Sequence, residues 1–211
     1  MNYAELKQNL ISLGFAEESD YEEFEDLGYT YTAINQATAE INTLFPCLAT
    51  YDLEVDNSEE GYLYVKMPDI DKGFLAFADP MVLVAKNEKT ETGYAERTYY
   101  KPFGAYKIEN NSTIVLDASD VHGNTNDKNL YWTFRIFYEK QPTQIGPSTA
   151  DDFVFELPLR VHHLIPLLAS YYLWLDDEPS KAAQYYNPRC SYNAWRRCVL
   201  GCCSDFSHCS P

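Results

Sequence analysis

Residues 131–186 read YWTFRIFYEKQPTQIGPSTADDFVFELPLRVHHLIPLLASYYLWLDDEPSKAAQYY, and the succession of patterns within them decides the fold. An aromatic run with strand chemistry comes first, followed by a Pro/Gly loop, a short strand, an apolar helix and a second short helix. Pro158 suits the first position of the apolar helix, and Pro166 inside it predicts a kink, because proline removes an internal hydrogen bond. Pro179 opens the last helix, Lys181 to Tyr186. No set of catalytic groups stands out in this stretch. It reads as the end of a scaffold that docks onto something.

Upstream, from Thr50 to Leu157, the hydrophobic period is two. YDLEVD and GYLYVKM alternate around NSEEG and read as a hairpin. FLAFADPMVLVAK is a longer strand, bent or interrupted at Pro80. KPFGAYKIE and STIVLD flank Asn110-Asn111, a two-residue turn signal. After the turn-rich VHGNTNDKN, LYWTFRIFYE is the strongest strand of the chain, and DDFVFELP closes the set. Seven or eight short strands at this spacing predict a small antiparallel sandwich or barrel.

The period is helical again at the N-terminus. Tyr3, Leu6, Leu10 and Leu13 recur at three- and four-residue steps, giving a helix over Asn2 to Leu13 with Gly14 just past its end. A second helix, Tyr31 to Phe45, has Thr30 or Thr32 as its cap and Pro46 as its stop. Its apolar face is Ile34, Ala37 or Thr38, Ile41 and Leu44; Asn35, Gln36, Glu40 and Asn42 lie opposite. Between the helices, AEESDYEEFEDLG carries seven carboxylates in thirteen residues and reads as a solvated loop. The fold class expected is α+β, with N- and C-terminal helices packed together around an inserted antiparallel β-sandwich or barrel-like domain. The expected boundaries are 1–48 for the N-terminal helices, 49–157 for the β-rich domain, 158–187 for the C-terminal helices and 188–211 for an irregular Cys-rich tail.

Composition narrows the function. Hydrophobic residues make up 45% of the chain and aromatics 15%, enough to build a core rather than a disordered coil. The net charge is −16, which argues against wrapping nucleic acid, a task that needs clustered Lys and Arg. An acidic wall does let DNA slide past. No 18-residue apolar run offers a transmembrane helix, and the first ten residues lack the pattern of a signal peptide, so a cytoplasmic origin is expected.

Candidate chemistry is sparse. Cys190, Cys198, Cys202, Cys203 and Cys209 crowd the last 22 residues near His208, but their spacing lacks the paired knuckles of a zinc site. A disulfide framework is disfavoured by the compartment. His162 and His163 are adjacent, so on a helix they point about 100° apart and cannot share one ligand. Asp69 and Asp71 lack the remaining ligands of a calcium loop and read as a plain turn. Asp176, Asp177 and Glu178 precede a helix, where carboxylates complement its dipole. No phosphate loop, nucleophile elbow or usable Cys/His pair is present, so no enzyme activity and no cofactor or metal are expected.

These patterns resemble the head-to-tail adaptor (connector or neck) proteins of tailed bacteriophages. The matching positions are Tyr138 and Pro142, Asp152, Leu157 and Pro158, and then Asp176, Pro179, Ala183 and Tyr186. Ile34, Asn35, Ala37 and Ile41 match the family's second helix, and the likeness covers residues 1–187. The Cys-rich tail has no counterpart. The resemblance implies a non-enzymatic virion protein of the phage neck, made in the host cytoplasm. It would form a homo-oligomeric ring, commonly twelvefold, beneath the portal and above tail or nozzle proteins, with DNA only passing through. Tyr171, Tyr172, Trp174, Tyr185 and Tyr186 then become the expected contacts with the portal or a neighbouring ring. Glu17, Glu18, Asp20, Glu22, Glu23, Asp176, Asp177 and Glu178 become the expected acidic lumen or interface. Two alternatives stand beside this: a tail or baseplate component, and a β-sandwich glycan-binding module using Trp132, Trp174, Trp195 or surface tyrosines.

Overall fold

A computed structural model of the chain describes residues 1–14, 18–56, 61–90, 93–94, 99–121 and 130–185. The first half contains α1 (Tyr3–Gly14), α2 (Glu18–Asp26), α3 (Tyr29–Asn42), β1 (Cys47–Asp56), β2 (Tyr62–Lys66), α4 (Met67–Ile70) and β3 (Phe74–Thr90). The second half contains β4 (Gly93–Tyr94), β5 (Lys101–Pro102), β6 (Tyr106–Glu109), β7 (Thr113–Asp117), β8 (Leu130–Lys140), α5 (Leu164–Trp174) and α6 (Pro179–Tyr185). The class is α+β, with two antiparallel sheets lying in sequence between N- and C-terminal helices. The chain divides into two compact units, one of Met1–Cys47 with the chain from Pro142 onward, the other Leu48–Gln141.

The helical unit is built on α5, against which α1, α3 and α6 pack. Leu164, Ile165, Leu168, Ala169, Leu173 and Trp174 of α5 are all buried, as expected for a helix apolar on every side. Leu6, Leu10, Ile34, Ala37 and Ile41 face the same core. Each such aliphatic side chain contributes about 1.5–3 kcal/mol when withdrawn from water. Gly14 is the last residue of α1 rather than the residue after it. Its missing side chain has a packing cause: a Cβ there would lie 2.8 Å from the Trp174 indole nitrogen.

The acidic stretch expected as a loop is a helix. Tyr21 and Phe24 of α2, three residues apart, turn inward, and that burial outweighs the repulsion among carboxylates. Neither Thr30 nor Thr32 caps α3. Its N-cap is Gly28 at φ 77°, a left-handed position that favours glycine, and Thr32 Oγ1 instead donates to the Gly28 carbonyl at 3.0 Å. Asn42, expected on the solvent face, is buried and accepts from the Cys47 backbone N–H at 2.7 Å.

The C-terminal helix starts later than expected. A short 3-10 turn, Leu159–Val161, follows Pro158, and α5 begins at Leu164. Pro166 therefore falls in the first turn of α5, where its missing N–H would have had no intrahelical partner, and the predicted kink loses its cause. DDFVFELP is not a strand of the sheet region. Only Val154 of this segment forms a bridge, to Asn2, and the described residues 142–185 belong with the helices. The expected boundary at 157 is thus corrected to Gln141.

In the second unit the larger sheet runs β1-β8-β3-β4, with β5 also on β3, and the smaller runs β2-β7-β6. The hairpin expected between β1 and β2 does not form, since the two strands lie in different sheets. Val55, Val82, Val84, Trp132, Phe134 and Ile136 from one sheet share a core with Val65, Ile114 and Leu116 from the other. This is the inserted sandwich. β3 slips register against β8 between the pairs Phe77–Tyr138 and Val82–Ile136, the interval that contains Pro80. Asn110 and Asn111 turn the chain where expected, with φ 52° and 58° and a Ser112 N–H to Glu109 carbonyl bond of 3.3 Å. Glu109 pairs with Thr113, however, so Ser112 belongs to a three-residue connection and not to the strand.

Candidate functional site

The acidic helix α2 is held in place from its inner side. Glu25 accepts from the Tyr3 hydroxyl at 2.6 Å and from Lys7 Nζ at 2.9 Å, while Lys7 also lies 4.7 Å over the Tyr3 ring. Burial alone would raise the Glu25 carboxyl, but the Tyr3 and Lys7 donors outweigh it and hold it below the ordinary range. The Tyr3 hydroxyl moves far upward, through burial first and its bond to Glu25 second. Tyr21 shifts upward mainly by burial. Opposite that anchored inner side, Asp20, Glu22, Glu23 and Asp26 of α2 are exposed. Asp176, Asp177 and Glu178 are also exposed, just before α6. Glu17 lies outside the described residues, and Glu18 is described only as the first residue of α2.

The tyrosines and tryptophan expected as contacts are mostly committed within the unit. Trp174 is buried. Its ring lies 5.5 Å from that of Phe24 and has the Lys181 ammonium 3.3 Å from its centre, and Lys181 in turn donates to the Gly14 carbonyl at 2.8 Å. The Tyr185 hydroxyl donates to the Leu13 carbonyl and Tyr172 to Glu40. Tyr171 stacks edge-on against Tyr172 at 5.3 Å. These side chains bind α6 and α5 to α1 and α3, so Trp174 is corrected from contact residue to core residue. Tyr186 lies outside the described residues, as do Trp195, His208 and the five cysteines from Cys190 onward.

Two clamps escaped the sequence reading. The Asn35 side chain donates to the Ile145 carbonyl at 3.0 Å and accepts from the Ile145 N–H at 2.9 Å, fastening the segment after Pro142 to α3. An asparagine on the polar face of an amphipathic helix gave no sign of this; only its place in the resemblance motif singled it out. Buried His162 is bonded at both ring nitrogens, to the Leu157 carbonyl at 2.7 Å and the Met1 amino group at 2.9 Å, while its neighbour His163 is exposed. The pair therefore splits between core and solvent, although both lie in the turn before α5 and not on a helix.

On the sheet unit, Asp71 forms the plain turn expected of it. It accepts from the Gly73 N–H at 2.8 Å and from the Tyr138 hydroxyl at 2.9 Å. Burial, reinforced by that carboxylate, pushes Tyr138 up to about 12. Arg135 forks onto Asp52 at 2.7 and 2.6 Å and lies 4.3 Å from the Tyr100 ring centre. Trp132 is buried, whereas Tyr62 and Tyr64 of β2 are 63% and 64% exposed. Among the described residues no group of His, Cys, Asp and Glu is placed to hold a metal ion, and no helix is long and apolar enough to cross a membrane. The described residues offer charged and aromatic surfaces: the exposed acids of α2 and the exposed Tyr62 and Tyr64 of β2. No protein-family model matches the chain, and the curated proteins contain no match to it.

Proposed function

We propose that the chain is a virion structural protein, a ring-forming head-to-tail adaptor that joins the portal to the tail and lines the DNA channel. The observation that carries this reading is α2. It presents Asp20, Glu22, Glu23 and Asp26 to solvent while its other side is locked by Tyr21, Phe24 and the Tyr3–Glu25–Lys7 network. A fixed array of carboxylates repels passing phosphates without binding them, which suits a wall along which a genome moves. Further support comes from the layout, in which N- and C-terminal helices form one unit and an antiparallel β-rich unit is inserted between them in sequence, as the resemblance implies. The partners are then further copies of the chain, the portal protein, and tail or nozzle proteins.

Reversing the exposed charges tests the reading. Asp20→Lys, Glu22→Lys and Glu23→Lys together leave the inner anchor intact, so the ring still assembles while genome ejection slows, measured by DNA release from particles carrying the variant. Unchanged ejection from assembled particles would refute the lumen assignment. The glycan-binding alternative loses two of its tryptophans, because Trp132 and Trp174 are buried. Among the described residues, sugar stacking would fall to exposed tyrosines such as Tyr62, Tyr64 and Tyr99, while Trp195 lies outside the described residues.

A further inference from the structure

The three-stranded sheet ends in two strands that fit one another. β2 and β6 both pair with the central β7, which leaves the outer edge of each outside any ladder among the described residues. Such edges are templates for another strand. Both run antiparallel to β7, so they point the same way, and β7 aligns them rung by rung. Val65, Ile114 and Ile108 share one rung; Lys66, Thr113 and Glu109 share the next.

The rungs are asymmetric at the β6 end. Val65 and Ile114 are buried, yet Ile108, on the same core-facing side, is 40% exposed. At the β2 end the core-facing side borders a groove of about 270 Å3 lined by Leu53, Val55, Leu63 and Val65, with Glu54 and Asp56 beside them. On the outward side β2 ends in exposed Lys66 and β6 ends in Glu109. Among the described residues each is paired with a near neighbour in sequence, Lys66 with Asp69 at 3.3 Å and Glu109 with Lys107 at 2.7 Å. Solvent-exposed pairs of this kind are easily exchanged.

We infer that β6 of one copy adds in parallel to the β2 edge of the next copy, joining their three-stranded sheets. In this register Ile108 enters the groove beside the neighbour's Leu63 and Val65, Glu109 meets its Lys66, and Lys107 lies along its exposed Tyr64. One surface differs from the other, so the contact is heterologous and propagates from copy to copy, as a ring requires. Strand addition supplies the main-chain bonds, and the alternate side chains set the register. The inference rests on the ring reading above and names the interface that builds it.

Charge exchange tests it. Lys66→Glu and Glu109→Lys, made singly, place like charges face to face and should lose the ring species seen by native mass spectrometry. The double variant restores an opposite pair across the seam and should regain it. Thermal melts confirm that each variant is folded. Rings that form equally well in both single variants, or a folded double variant that fails to assemble, would overturn this interface alone. A wild-type chain that remains monomeric alone and with portal overturns the ring reading, and the interface falls with it.

Discussion

Glu25→Gln isolates the charge that seats the acidic helix. In the wild type the carboxylate takes two charge-assisted hydrogen bonds, from Tyr3 at 2.6 Å and Lys7 at 2.9 Å, with its side chain only 17% exposed. Glutamine keeps the shape and one neutral acceptor but loses the charge, which roughly halves the strength of such bonds. Partial exposure screens part of the remainder, so the expected cost at neutral pH is about 1–2 kcal/mol. For a chain of this length that lowers the melting temperature by roughly 3–6 °C. The pH dependence carries the sharper test. The folded carboxyl is held below its unfolded value near 4.3, so its contribution is complete above that value and is lost as pH falls through the folded one. Melts followed by helical circular dichroism should show the gap between wild type and variant in full at pH 6–7, then closing below about pH 4. A gap that stays constant from pH 7 to pH 3 would refute the role given to the charge.

Other outcomes follow from single contacts. Asn35→Ala removes both bonds to the Ile145 backbone and should cost about 2–3 kcal/mol, with faster proteolytic cutting between residues 142 and 150. Gly14→Ala forces a Cβ to within 2.8 Å of the Trp174 indole nitrogen, so a loss of about 1–3 kcal/mol is expected in urea titration. Asn111→Val places a β-branched residue at φ 58° and should cost about 1–2 kcal/mol, whereas Asn111→Gly should be neutral or slightly stabilising. Tyr138→Phe removes the donor to Asp71 and should cost about 0.5–1.5 kcal/mol, together with the phenol that ionises only near 12.

Period and turn chemistry carried most of the fold. The three- and four-residue steps of Tyr3, Leu6 and Leu10, the alternation of Trp132, Phe134 and Ile136, and the turn at Asn110-Asn111 all appear where local rules place them. Local rules fail where a distant partner decides. Nothing local tells that YDLEVD pairs with the later aromatic strand and not with its sequence neighbour. The acidic segment reads as a loop until Tyr21, Phe24 and Glu25 are seen against Tyr3, Lys7 and Trp174. Much the same holds for the surfaces. The exposure of the acids on α2 follows from their charge, but composition cannot show that Trp174 is spent beneath Lys181, or that Tyr62 and Tyr64 are left outside.

The ring adaptor reading is tested most directly by native mass spectrometry of the purified chain, alone and mixed with a portal ring. A closed multimer, twelvefold if the resemblance carries through, or a stable complex with the portal, is the predicted result. A monomer indifferent to the portal would contradict it and would move the tail, baseplate and glycan-binding readings ahead.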